Sequence, residues 1–273
     1  MRKYEDIRYG DHFENAFINF TLPDADTFPL FIYFHGGGFK GGNRKGAPFA
    51  ETMAQSGIGV ASVEYRLYPD AKYPDFLDDG ARAVAWIKAN FARFGKAQGL
   101  YVGGSSAGGY LSMMLCFDER FLAKYGMHPD ELAGYIHDAG QPTAHFNVLR
   151  ERGLDARRVI IDETAPLYYV GTRDAYPPML FIVSDDDMKN RYEQTMLTLS
   201  TLKHFGYDEK KIRLQVMHGK HCQYISKEGS AAYTDIVSSF IRSFPAEAGL
   251  EPAASGLSLR AALRCPKKSS DSR

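Results

Sequence analysis

Residues 101 to 116 read YVGGSSAGGYLSMMLC, two adjacent serines between two pairs of glycines. The stretch leaves a short apolar run, Leu100 to Gly103, and enters Ala107 to Phe117, where Leu111, Met114 and Leu115 make an apolar helical face. The serines therefore sit on a strand-to-helix turn, with helix N-terminal amides aimed at whatever binds there. A nucleophile elbow needs small residues two before and two after the nucleophile, because so tight a turn has no room for Cβ atoms. Ser106 has Gly104 and Gly108 in those places, whereas Ser105 has Gly103 and Ala107, which is nearly as permissive. Ser106 is the better candidate and Ser105 its rival. The motif alone would also suit a helix N-cap serine on a glycine turn, so its surroundings must decide.

Outward from this turn, Phe31 to Phe34, Gly59 to Val63, Met179 to Val183 and Ile212 to Met217 read as further buried strands. Between them lie segments of helical period. Asp75 to Phe94 places Phe76, Ala83, Val84, Ile87 and Phe91 on one face; Tyr192 to Phe205 aligns Met196, Leu199, Leu202 and Phe205; Glu228 to Phe244 aligns Ala232, Ile236, Phe240 and Phe244. Strands alternating with helices predict an α/β fold with a mainly parallel sheet covered on both faces. Tyr4 to Tyr9 and Ala16 to Leu22 alternate more and predict an antiparallel edge. One domain over 1–245 is expected. The Ala-, Ser- and Gly-rich remainder, 246–273, is expected to be a disordered tail, with room for a short helix around Leu257 to Leu263.

Thirty-three basic residues balance thirty-three acidic ones, which gives no global field for nucleic acid or an anionic membrane. No apolar run reaches the roughly 20 residues of a membrane span, and the first residues show no signal-peptide pattern. Cys116, Cys222 and Cys265 are far apart, against a disulfide framework or a zinc site and in favour of a reducing cytoplasm. No metal and no cofactor are expected.

A serine hydroxyl needs a general base, and the base an orienting acid. VMHGKHCQY, residues 216 to 224, supplies His221 just past the last strand, with His218 as rival. In LFIVSDDDMKN, residues 180 to 190, three aspartates follow a strand; the bland reading, a solvated turn or helix cap, is expected to hold for two of them. FIYFHGGGFKGGN, residues 31 to 43, runs a strand into glycines that can bring backbone N–H groups close to a ligand, as an oxyanion hole requires. A phosphate cradle would want a following Gly-Lys-Ser/Thr, which is absent.

Taken in order, His35-Gly36-Gly37-Gly38-Phe39, EYRLYPDAKYPDFLDDGARAVAWI, GGSSAGG, TAPLYYV, PPMLFIVSDDDM and His221 resemble the hormone-sensitive-lipase-like esterases of the α/β-hydrolases, over about residues 28 to 244. The resemblance implies Ser106 as nucleophile, His221 as base and Asp187 as acid, selected by Ser184 before it and Met188 after it. It implies the amides of Gly37, Gly38 and Ala107 as oxyanion hole, and a structural role for Tyr65, Arg66 and Asp79. There are departures. The HGGG motif comes early, which implies a reduced cap and a more open cleft, similar to compact acetyl- and carbohydrate-esterases. The histidine loop is one residue short, and Cys222 stands where Gly is common. Asp118 to Asp162 is expected to serve as lid, with Tyr135, His137, His145 and Arg150 as sugar contacts.

The first expectation is a serine esterase acting on a short acyl, acetyl-like ester, with acetylated carbohydrates as a candidate class. The alternative is a formamidase-like amide hydrolase on the same scaffold, disfavoured by the full HGGG. A non-catalytic binder is the third, disfavoured because His221 is present. The expected partner is a small ester, with a homodimer left open.

Overall fold

The computed structural model describes residues 1–226 and 228–246. All of the expected tail beyond 246, with its short helix, lies outside the described residues. The strands are β1 Arg2–Arg8, β2 Phe17–Leu22, β3 Thr27–Phe34, β4 Gly59–Val63, β5 Lys96–Ser105, β6 Gly134–Asp138, β7 Met179–Asp186 and β8 Ile212–Lys220. The α-helices are α1 Ala50–Gln55, α2 Asp75–Asn90, α3 Ala107–Phe117, α4 Arg120–Ala123, α5 Phe146–Glu151, α6 Arg191–His204 and α7 Ser230–Ser243. Among the described residues the strands form one sheet in the order β1-β2-β4-β3-β5-β6-β7-β8. β1 and β2 are antiparallel and the others run parallel, as the alternation predicts.

Successive side chains of a strand face opposite ways, and β3 shows what that does here. Leu30, Ile32 and Phe34 join the core under α2 and α3, while Phe31 and Tyr33 join the core under α1 and α7. Both faces are therefore apolar, which is why the central strands read as unbroken hydrophobic runs. The strand order reverses beside β3, whose neighbours are β4 and β5, and the crevice beyond their carboxyl ends is where an α/β sheet binds ligands.

Three expectations need correction. Asp118 to Asp162 is not one lid: β6 lies inside it, between β5 and β7, and Asp118 itself is buried. GYIHD hides a central strand because Gly134 and the polar His137 and Asp138 interrupt the apolar run. On α6 the buried side is Arg191, Gln194, Thr195, Thr198 and Leu202, with Phe205 59% exposed. Polar residues tolerate that burial because the Thr195 and Thr198 hydroxyls donate to helix carbonyls one turn back, each at 2.9 Å. On α7 the face is Tyr233, Val237, Phe240 and Ile241, and Ala232 is exposed.

The turn between β5 and α3 is as tight as its glycines suggest. A Cβ on Gly104 would lie 2.5 Å from the Phe34 carbonyl oxygen, and one on Gly108 only 2.0 Å. Backbone cannot yield as a flexible side chain can. Gly108→Ala should therefore cost more than the ~1–3 kcal/mol of ordinary overpacking. Urea denaturation checks this, and a midpoint equal to the wild type would refute the close approach.

Candidate active site

Ser105 and Ser106 part company at the end of β5. Ser105 is its last residue; its side chain is buried, and its Oγ donates to Asp138 Oδ2 at 2.6 Å. Ser106 has φ 57° and ψ −110°, a left-handed conformation rare for a residue with a side chain. That turn aims its Oγ out of the sheet, 2.8 Å from His221 Nε2. Ser105 faces the core and Ser106 the crevice.

Each aspartate after β7 meets its own partner. Asp185 Oδ2 lies 2.6 Å from His218 Nδ1 on the surface, where the histidine is 96% exposed. Asp186 pairs with Lys220 at 2.9 Å. Asp187 alone is carried inward; its Oδ1 lies 2.5 Å from His221 Nδ1, and its side chain is 1% exposed. The rival His218 is thus paired with Asp185 on the surface, away from both serines. Burial by itself would raise the Asp187 carboxyl. The bond to His221 and its charge, with the amides of Met188 at 2.7 Å and Ser184 at 3.2 Å, outweigh that and hold it below the usual carboxylate range.

The glycine loop after β3 faces the same crevice. Gly37 has φ 112° and Gly38 φ 63°, both on the glycine side of the map. The loop closes on itself as the amides of Lys40 and Gly41 donate to the Gly37 carbonyl at 3.0 and 3.2 Å. Tyr65 braces its root: the hydroxyl donates to the His35 carbonyl at 2.6 Å and the ring stacks on His35. Arg66 grips Asp79 with Nε and Nη2, both at 2.8 Å, beneath this brace, so the three residues hold loops rather than face the cleft. Ala107 opens α3, and its amide belongs to the helix N-terminus beside Ser106.

A cleft of about 650 Å³ joins Gly36, Gly37, Gly38, Ser106 and His221. Its walls add Tyr33, Pro48, Met188 and Ile225, with Phe146, Asn147 and Arg150 from α5. Asn147 Nδ2 donates to the Gly38 carbonyl, which ties α5 to the glycine loop. Sequence reading passed over Phe146 and Asn147; nothing in a short, mixed-polarity helix marks them. Of the four residues expected to meet a sugar, only Arg150 lines the cleft. Tyr135 and His137 are buried on β6, with His137 Nδ1 2.9 Å from Ser112 Oγ. His145 is buried against Phe39 and Tyr110, and its Nδ1 caps α5 by accepting from the Asn147 amide at 3.2 Å. Cys222, the departure from glycine, takes φ 54°, so the position keeps the conformation that favours glycine.

A family model for the α/β-hydrolase fold matches residues 31–137. The chain has the α/β-hydrolase fold. A probable carboxylic ester hydrolase of Mycobacterium tuberculosis is 32% identical to this α/β-hydrolase over 42% of the chain and 29% of its own length. Versiconal hemiacetal acetate esterase of Aspergillus parasiticus is 37% identical over 40% of the chain and 38% of its own length. The aligned stretches thus span well under half of these relatives. Esterase B of Lactobacillus rhamnosis superposes with a TM-score of 0.72 at 16% identity, covering 88% of this chain and 85% of that one. At such identity the likeness is one of fold. No helix among the described residues of this α/β-hydrolase is long and apolar enough to cross a membrane.

Proposed function

We propose that this α/β-hydrolase is a serine carboxylesterase that cleaves short acyl esters through an acyl-enzyme on Ser106. The observation that carries the reading is the unbroken relay from Ser106 Oγ to His221 Nε2 at 2.8 Å and from His221 Nδ1 to Asp187 Oδ1 at 2.5 Å, opening on a cleft. His221 takes the Ser106 proton as Oγ attacks the acyl carbon, and Asp187 steadies the imidazolium. The carbonyl oxygen, now negative, turns to the amides of Gly37, Gly38 and Ala107. His221 then returns the proton to the departing alcohol. Water, activated by the same histidine, releases the acid and restores Ser106.

The acyl half is acetyl to about butyryl, and the alcohol half is bulky and polar. Each methylene that fits adds about 0.8 kcal/mol, and one that meets a wall adds a clash instead. The lining of the cleft combines the glycine backbone beside Ser106 with Tyr33, Phe146 and Ile225, apolar surface that suits a small acyl group. Lys40, Asn147 and Arg150 in the same lining supply polar groups for a large alcohol, such as an acetylated saccharide. A relative named for an acetate ester agrees with the small acyl group.

Rates on p-nitrophenyl esters from acetate to palmitate, with an acetylated saccharide alongside, test both halves. The expected maximum lies between acetate and butyrate. A maximum at decanoate or longer would overturn the short-acyl claim, and a maximum at acetate without saccharide turnover would remove the sugar.

A further inference from the structure

Behind the nucleophile lies a carboxylate that the relay does not use. Asp138 ends β6 and has no solvent exposure. Its carbonyl accepts the Ser106 amide at 2.8 Å. Its Oδ2 accepts the Ser105 hydroxyl at 2.6 Å, and its Oδ1 accepts the hydroxyl of Tyr224, three residues beyond His221. Tyr33, from β3, in turn donates to Ser105 Oγ at 3.2 Å. One side chain therefore ties the nucleophile turn to the histidine loop.

The backbone around these ties is held in rare conformations. Ser106, Ala139 and Cys222 have φ of 57°, 46° and 54°, although none is glycine. Such residues cost on the order of 1–3 kcal/mol each and persist only where their surroundings hold them. Ser106 follows Ser105, Ala139 follows Asp138, and Cys222 joins His221 to the loop of Tyr224. The strain thus borders the network at each of its attachments.

We propose that Asp138 is a positioning residue for this esterase centre: its carboxylate locks the Ser106 turn and the His221 loop in register and sets a second negative charge beneath the imidazolium formed during the reaction. The inference rests on the esterase reading. The anion accepts both hydroxyls at once, whereas a proton on either oxygen would require the facing hydroxyl to turn and accept. The groups facing it are Tyr33 from β3, Ser105 from β5, Asp187 after β7, His221, Cys222 and Tyr224 from the histidine loop, and Tyr233 from α7. The guanidinium of Arg191, on α6, binds the neighbouring Ala139 carbonyl rather than this carboxylate. Burial pushes the Asp138 carboxyl up to about 7, against the lowering by Ser105, Tyr224 and His221, and Asp187 adds to the rise. An acid raised on folding leaves stability untouched below the ordinary carboxylate range and lowers it as pH climbs through about 7. The charge therefore costs stability in the range where the proposed catalysis uses it.

The test compares the wild type with Asp138→Asn, Ser105→Ala, Tyr224→Phe and the Ser105→Ala/Tyr224→Phe pair on p-nitrophenyl acetate, with rates taken per fluorophosphonate-titrated site. Asp138→Asn is expected to lose roughly 10- to 100-fold in kcat with KM within about threefold, the pattern of an interaction made in the transition state. The acid limb of log kcat against pH should lose the extra steepness that titration of Asp138 adds to it and flatten to a slope of one. Its melting temperature relative to the wild type should rise between pH 5 and pH 8. The pair should lose about tenfold or more, and adding either change to Asp138→Asn should cost little further, as coupled residues do. A kcat within twofold of wild type with an unchanged limb would overturn the proposal, as would a loss confined to the fraction of titratable sites. Should Asp138→Asn fail to fold, the pair decides, and a kcat within twofold of wild type overturns it. Absence of ester turnover in the wild type would sink the esterase reading instead.

Discussion

Ser106→Ala is expected to lower kcat on a short p-nitrophenyl ester by roughly 10⁵- to 10⁶-fold, leaving only what binding and the backbone amides supply. The size follows from the absence of any substitute. Ser105 is one residue away, but its hydroxyl is turned into the core and held by Asp138 at 2.6 Å. To reach the cleft it would have to break that bond and reverse the strand-to-helix turn, which Gly104 and Gly108 pack against the Phe34 carbonyl. A fluorophosphonate probe should therefore modify Ser106, located by peptide mass spectrometry, and Ser106→Ala should not be labelled. An adduct confined to Ser105 would refute the assignment.

His221→Ala should be about as damaging, because the hydroxyl without its base is a poor nucleophile and the residues act as one unit. Asp187→Asn should be milder, on the order of 10⁴-fold, since the amide still fills the site but cannot offset an imidazolium. The surface pair gives the control. His218→Ala removes an exposed ring whose partner is Asp185, and kcat/KM should stay within about twofold. Inactivation by His218→Ala with activity kept in His221→Ala would mean that the short loop rearranges in solution.

Several elements of this protein are fixed by local chemistry. The strands β3, β4, β5 and β7 are apolar on both faces, and that makes a buried parallel sheet legible, whereas β8, also expected to be buried, is an edge strand with no fully buried residue. The glycines at 104 and 108 mark the tight turn because only hydrogen fits there, and the resemblance of HGGG, GGSSAGG and the closing histidine to one family pointed to Ser106, His221 and Asp187. What failed was what depends on neighbours distant in the chain. β6 was hidden because His137 and Asp138 are polar, and their burial is tolerated only through Ser112, Ser105 and Tyr224, brought in from other elements. The buried side of α6 differs because hydroxyls bonded within a helix can be buried, and that of α7 because a small apolar residue, Ala232, can be left in water. Which serine faces the cleft, which aspartate turns inward and which histidine it meets depend on side-chain direction at the ends of strands. Residue types and spacing name the candidates for such choices; only the register of β5, β6, β7 and β8 in the assembled sheet decides between neighbours.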